Sequence, residues 1–406
     1  MDPDADPGEC LRRAGPDALA AALQASRRDT LATFAVFEAA LPDLRAAPPG
    51  HPDLNPPLWE LGHVGWFQEF WIARHPGRGR GAAADPQAPR AAPLRAEADA
   101  LYDSGRVPQA ARAALPLPDA AATRAELADQ LVACLRLLRE AAPDDDGLYF
   151  FRLALAHEDM HHEAALWQAQ LLGLPVADAR WQPAPLAGAR TPLRVEAGTW
   201  RLGMAPGDGF AFDNELPAHA VALETFDIDR RAVSWDEFIP FVEAGGYREP
   251  RWWDEAGRRW LLQARPEAPQ HLHLDAGRWW HRQWDAWRPL DGRLAACHLN
   301  RHEARAWCAW AGRRLPSEAE WEAAALAHPA DFAFGAVWEW TDSEFLPYPG
   351  FVPHPYRDYS QPWFGHRAVL RGGSFGAQRR LHHARYRNFF EASRRDVFSG
   401  FRSCAR

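Results

Sequence analysis

The sequence predicts a two-domain α+β protein: a four-helix bundle first, then an irregular domain of short strands, long loops and a few helices. Three observations carry this. The chain has 406 residues, more than one ordinary core organises, so two domains of roughly 150–200 residues are expected. Apolar residues recur at helical spacing through residues 1–180, as amphipathic helices require. A Pro/Ala/Gly-rich linker over 181–192 then gives way, over 193–406, to short apolar segments broken by Gly, Pro, Asp and Asn, with Trp frequent.

The elements follow in order. Leu19, Leu23, Leu31, Phe34 and Leu41 predict a helix over 17–41 that Pro42 stops. Asn55-Pro56-Pro57 reads as an N-cap with proline in the first turn of a second helix, carrying Trp59, His63, Trp66, Phe67 and Phe70. Residues 76–95 read as a long loop. Thr123-Arg124-Ala125-Glu126 has the capping-box pattern and opens a third helix on Leu127, Leu131, Leu135 and Leu138. The fourth runs from Asp146 to Leu172, ended by Gly173 and Pro175. Four such helices predict a bundle. In the second half, helices are expected near Trp235–Ala244 and His302–Ala311, with aromatic pockets among strands and loops.

Composition excludes several classes. Apolar content of 47% and charge of 25% are those of a globular protein. A net charge of −8 argues against a nucleic-acid surface. The 46 basic residues are all Arg, which rules out a P-loop lysine, a Schiff-base lysine and a lysine general base. Cys10, Cys134, Cys297, Cys308 and Cys404 show no paired spacing, as expected of a reducing compartment. No signal peptide and no apolar run of membrane-spanning length is visible, so a cytoplasmic protein without membrane partners is expected.

His157-Glu158-Asp159-Met160-His161 is the strongest chemical motif. Histidines four apart share a helix face and can reach one metal. His63 lies on the apolar face of the second helix, and two such faces can meet inside a bundle. Three imidazoles suit zinc, iron, copper or nickel. A histidine on an apolar face is also an ordinary core residue, so His63 alone leaves both readings open. Glu158 reads either as the general base of a zinc protease or as a solvated helix residue. His162 is expected to be exposed, and Glu163 to hold a ligand imidazole.

The combination of segments resembles a known family. Leu58-Trp59-Glu60-Leu61-Gly62-His63-Val64-Gly65-Trp66-Phe67 and His157-x-x-x-His161-x-Glu163 are similar to the DinB-like bundle of the ergothioneine sulfoxide synthases, of which selenoneine synthases form a branch. Ala197–Gly203, Phe212–Glu215, Gly312–Trp321, Val337–Trp340, Leu370–Ser374 and Gly400–Arg402 are similar to their C-type-lectin-like, formylglycine-generating-enzyme-like domain. The resemblance implies iron(II) on His63, His157 and His161. It implies O2-dependent joining of sulfur or selenium to the imidazole of hercynine, a trimethylated histidine betaine, with small molecules as the only partners. It places Asn388, with Phe389 beside it, on the hercynine side and a catalytic tyrosine at Tyr356, with Tyr359 the alternative. A phenol there would supply a proton or hydrogen atom. Trp and Phe side chains are expected to cage the trimethylammonium, and Arg394 or Arg395 to meet a carboxylate or simply form surface ion pairs.

Two positions depart from the pattern of the synthases that use γ-glutamylcysteine. Phe390 stands where they carry an acidic residue, and Met160 where they often carry Gln. The missing carboxylate removes a partner for a donor's amine. Both changes fit a selenosugar or free cysteine, and the wording of the helix-two segment favours the selenoneine branch. Among competing classes, a zinc protease lacks a recognisable third ligand downstream. A formylglycine generator lacks its cysteine pair in Phe375–His382. A non-catalytic binding module would not need all three histidines.

Overall fold

The computed structural model describes residues 7–48 and 54–406, which form two compact units. The helical unit runs through Val176 and also takes in Gly207–Phe210 and Pro353–Tyr359. Thus two segments of the 193–406 region, one of them carrying Tyr356, belong with the bundle. Among the described residues no helix is long and apolar enough to cross a membrane.

In the helical unit the helices are α1 (Pro7–Arg13), α2 (Pro16–Ala40), α3 (Pro57–Gln68), α4 (Ala98–Tyr102), α5 (Ala120–Glu140) and α6 (Asp145–Leu172). The long four are those read from periodicity; their starts differ. Asn55 does not cap α3. Pro56 holds the N-cap position without a side-chain bond, and the Asn55 amide is drawn to Glu60 instead. Thr123 does not open α5 either. Asp119 caps it by accepting from the Ala122 N–H, because the three alanines after it extend the helix backwards by one turn. α6 is capped by Asp144 and closed by Gly173 at φ 70°, a left-handed conformation that costs glycine nothing. Helix α3 runs on into a π-helical turn, Glu69–Ala73, and the 76–95 loop contains a 3₁₀ segment, Arg78–Ala83.

The bundle core joins Leu19, Leu23 and Phe37 of α2, Leu61 and Phe67 of α3, Leu127 and Leu138 of α5, and Phe150, Phe151 and Leu155 of α6. Each such side chain stabilises the fold by about 1.5–3 kcal/mol. Gly62 lets the Tyr102 ring lie directly on α3, where any Cβ would overlap it. That close approach places the Tyr102 carbonyl beside His63.

In the second unit the strands are β1 (Pro192–Val195), β2 (Gly198–Leu202), β3 (His219–Leu223), β4 (Phe226–Asp229), β5 (Leu272–Asp275), β6 (Arg278–Gln283), β7 (Ala286–Pro289), β8 (Arg313–Arg314), β9 (Trp338–Glu344), β10 (Ala368–Arg371), β11 (Asn388–Phe390), β12 (Ser399–Gly400) and β13 (Cys404–Ala405). They form sheets of order β1-β4-β13-β8 and β11-β10-β9-β12, the hairpin β2-β3 and the meander β5-β6-β7. Four helices accompany them: α7 (Trp235–Glu243), α8 (Glu255–Ala264), α9 (Arg301–Trp310) and α10 (Glu318–Ala327). The expected pair corresponds to α7 and α9. The sequence reading missed α10, although Ser317 and Glu320 form a complete capping box at its start.

Many of the charges in the family-like segments are structural. Arg387 donates to Glu318, Arg371 to Glu322, and Arg402 with Trp321 to Glu339, all buried. Guanidinium forks match carboxylates two bonds at a time, which is how charge is tolerated inside this unit. Leu370 of β10 pairs with Asn388 of β11 on one side and Trp340 of β9 on the other.

Candidate metal centre

Two turns of helix build the site. His157 and His161 stand one turn apart on α6, and His63 projects from α3. Ligand-capable nitrogens of the three lie within 4.8 Å of one another, the one such cluster of three or more metal-binding side chains among the described residues. Ring centroids are 5.1 Å apart for His63–His157, 4.8 Å for His63–His161 and 4.4 Å for His157–His161.

Each imidazole is held differently. His63 stacks on Trp59 at 4.7 Å, and its Nδ1 lies 2.8 Å from the Tyr102 carbonyl, to which it donates. This leaves Nε2 for other use. His161 donates from Nδ1 to Glu60 Oε2 at 2.6 Å. His157 stacks face to face on Phe67, and both its ring nitrogens are buried without a hydrogen-bond partner. Burying such a polar group unpaired is costly, so a ligand that binds imidazole would relieve it.

Electrostatics agree. Burial first, then the neighbouring His161, pushes the His63 pKa down to about 3 and that of His157 well below the ordinary value. Both rings are therefore neutral near pH 7, the form that binds metals. For Glu60, burial pushes the carboxyl up, but His161, His63 and Asn55 outweigh it and hold it at about 2. The donor set thus fits a divalent metal, with three imidazoles clustered together and a carboxylate behind one of them.

The remaining expected residues fall into two places. In the helical unit the Tyr356 ring meets Phe67 edge-on at 4.9 Å and lies 6.1 Å from the His157 ring. Burial first, then Asp358 and Asp103, raises the Tyr356 pKa, so the phenol stays protonated. Tyr359 points its hydroxyl at Met160 Sδ, 3.8 Å away. In the second unit, Asn388, Phe389 and Phe390 form β11. Phe389 is stacked on Phe345 at 4.0 Å. Arg394 lies over the Phe390 ring at 4.7 Å and makes a two-bond ion pair with Asp396 at 2.9 and 3.0 Å.

Two expectations are corrected. Glu158 is neither solvated nor a catalytic base: it is buried in a two-bond ion pair with Arg27. The reason is geometric, since a residue next to His157 must point about 100° away from it around the helix. His162 is buried, not exposed, and its Nε2 meets Thr33 Oγ1 at 2.9 Å. Glu60 is a carboxylate that reaches a cluster imidazole, a role the sequence did not assign to it. Its position three residues before His63 was a usable signal, because such pairs share a helix face.

Comparison with known proteins places this architecture. The DinB superfamily matches residues 22–165, and the sulfatase-modifying factor enzyme 1-like domain matches 179–334 and 330–406. A hercynine oxygenase of Mycolicibacterium smegmatis is 32% identical over 404 residues, covering 87% of this chain and 91% of the relative. A hercynine oxygenase of Mycobacterium tuberculosis is 31% identical, covering 86% and 91%. A formylglycine-generating enzyme of Streptomyces coelicolor is 33% identical over 165 residues, covering 37% of this chain and 52% of the relative. The fold class is thus a DinB-like bundle joined to a formylglycine-generating-enzyme-like domain. Within that class, the chain belongs to the hercynine oxygenase family.

Proposed function

We propose that this protein is an iron(II)- and O2-dependent enzyme that joins selenium from a selenosugar to the imidazole of hercynine. The new C–Se bond replaces an imidazole C–H and an Se–H, with O2 accepting the electrons and protons. The observation that carries the metal reading is the three-histidine cluster with its unpartnered His157. Family membership supports oxidative chemistry on hercynine. Iron on these histidines would supply one-electron chemistry with O2 and acidify a bound Se–H or S–H.

The chain's own groups have definable tasks. His63, His157 and His161 would hold the metal. Tyr356, protonated and beside Phe67 and His157, would deliver a proton or hydrogen atom. Tyr359 and Met160 would line the same region. Asn388 would contact hercynine from β11.

The case against γ-glutamylcysteine rests on charge, and the preference for a selenosugar over free cysteine on the wording of the helix-two segment, Trp59-Glu60-Leu61-Gly62-His63 and Phe67-Gln68-Glu69-Phe70-Trp71. Phe390 offers no carboxylate to a donor's amine, and Arg394 beside it is matched by Asp396. A dipeptide thiol with charged ends would find neither partner, whereas a neutral sugar needs none. The test is anaerobic reconstitution with iron(II), then O2 with hercynine and each of a selenosugar, cysteine and γ-glutamylcysteine, read by mass spectrometry. A C–Se product from the selenosugar is expected. Product from a thiol alone would overturn the donor assignment and favour sulfoxide synthesis; no product from any donor would overturn the whole reading.

A further inference from the structure

The hydrogen bonds behind His161 form a chain in which each link dictates the next. Arg112 can only donate, and its Nη1 lies 2.7 Å from Asn55 Oδ1. The Asn55 amide must therefore turn its oxygen to Arg112 and its NH2 the other way, where Nδ2 donates to Glu60 Oε1. The second oxygen, Oε2, lies 2.6 Å from His161 Nδ1. A carboxylate only accepts, so the proton of His161 sits on Nδ1 and the ring's lone pair on Nε2. The guanidinium of Arg112 is itself fixed 3.9 Å over the Trp59 ring, one residue before Glu60 on α3.

We propose that Arg112, Asn55 and Glu60 form a directed relay that selects the Nδ1–H tautomer of His161, making Glu60 a positioning residue of the metal centre. The inference rests on the three-histidine metal reading for its purpose, but the tautomer is a property of the metal-free protein. Arg112 and Asn55 lie far from α6 in sequence, and neither would hold a metal itself.

The relay makes an unusual demand on Glu60→Gln. Asn55 still offers an N–H to this side chain, so it selects the new amide's oxygen. The amide NH2 then faces His161 Nδ1, which must accept. The imidazole proton moves to Nε2, and the lone pair the metal needs is lost. Adding Asn55→Asp reverses this. A carboxylate at 55 accepts both from Arg112 and from the Gln NH2, which turns the Gln oxygen back to His161 Nδ1–H.

The experiment compares wild type, E60Q and N55D/E60Q by iron(II) affinity and by ¹⁵N imidazole shifts of the metal-free proteins, with thermal unfolding to confirm that each is folded. E60Q is expected to bind iron(II) about 10–100-fold more weakly, the usual loss when such support is removed, and to show the Nε2–H tautomer at His161. The double variant is expected to regain most of the affinity and the Nδ1–H form. E60Q with wild-type affinity and tautomer, a double variant no better than E60Q, or a wild-type His161 protonated on Nε2 would each overturn the relay. Wild type with the Nδ1–H form but no iron(II) uptake would overturn the metal reading while supporting the relay.

Discussion

Replacing Glu158 by alanine strips a buried guanidinium of its counter-charge. Arg27 Nε donates to Glu158 Oε1 at 2.7 Å and Nη2 to Oε2 at 3.1 Å, with side-chain exposures of 4% and 2%. The Leu127 carbonyl, at 2.7 Å from Nη1, is the main neutral partner that would remain. Breaking one side of such a pair costs about 3–5 kcal/mol, because the survivor stays buried and charged. At about 2–4 °C per kcal/mol for a unit of this size, the unfolding midpoint should fall by roughly 6–20 °C. Iron(II) stoichiometry should not change, since Glu158 faces α2 and not the three histidines. Circular dichroism against temperature and metal analysis of the same sample read both quantities. Removing both charges with Arg27→Met/Glu158→Leu should recover much of the loss. A Glu158→Ala protein as stable as wild type but catalytically dead would refute this reasoning and restore the zinc-protease reading of the motif.

Other outcomes follow from the same geometry. His157→Ala should abolish iron(II) retention and turnover, as metal analysis and O2 consumption would reveal; a variant that keeps stoichiometric iron contradicts the assigned ligands. Gly62→Ala should push the Tyr102 ring off α3 and disturb the carbonyl that orients His63, weakening iron(II) binding at least tenfold; calorimetric titration checks this. Burial first, then Arg282, lowers the His281 pKa to about 4, and burial first, then His281, lowers that of His298 to about 3. Their unfolded values lie near 6.5, so the unfolded chain binds more protons as pH falls. Their contribution is complete above about pH 6.5 and lost as pH drops toward the folded values of about 4 and about 3. Between pH 7 and 5 the two together should cost on the order of 3–4 kcal/mol. A tryptophan-fluorescence unfolding midpoint that stays level over that interval would contradict it.

How much was legible in the residues differs between the two units. The bundle helices were readable because a 3.6-residue period repeats over several turns, and the His157–His161 pair because i, i+4 spacing projects onto one face. Helix starts were less readable. Asn55 and Thr123 carry good capping chemistry, yet Glu60 draws the Asn55 amide to itself and Asp119 caps α5 a turn earlier. In the second unit, two- to seven-residue strands carry too little pattern to register, and β8, β12 and β13 owe their existence to partners far along the chain.

The sequence by itself determined the presence and order of the four long bundle helices, the pairing of His157 with His161 and the two-part family pattern, because each depends on local spacing or on contiguous segments. Only the tertiary structure decided what each polar residue does there. It brought His63 of α3 to within reach of the α6 histidines, and the glycine-allowed contact of Tyr102 set a carbonyl behind its ring. It turned Glu158 inward to Arg27 and put Glu60 behind His161. It also counted Tyr356 with the helical unit, although it lies some two hundred residues from the histidines of α6. A side chain's type can be read from the chain, but its partner depends on which backbone surfaces pack together, and those partners decide whether a carboxylate is a base, a brace or half of an ion pair.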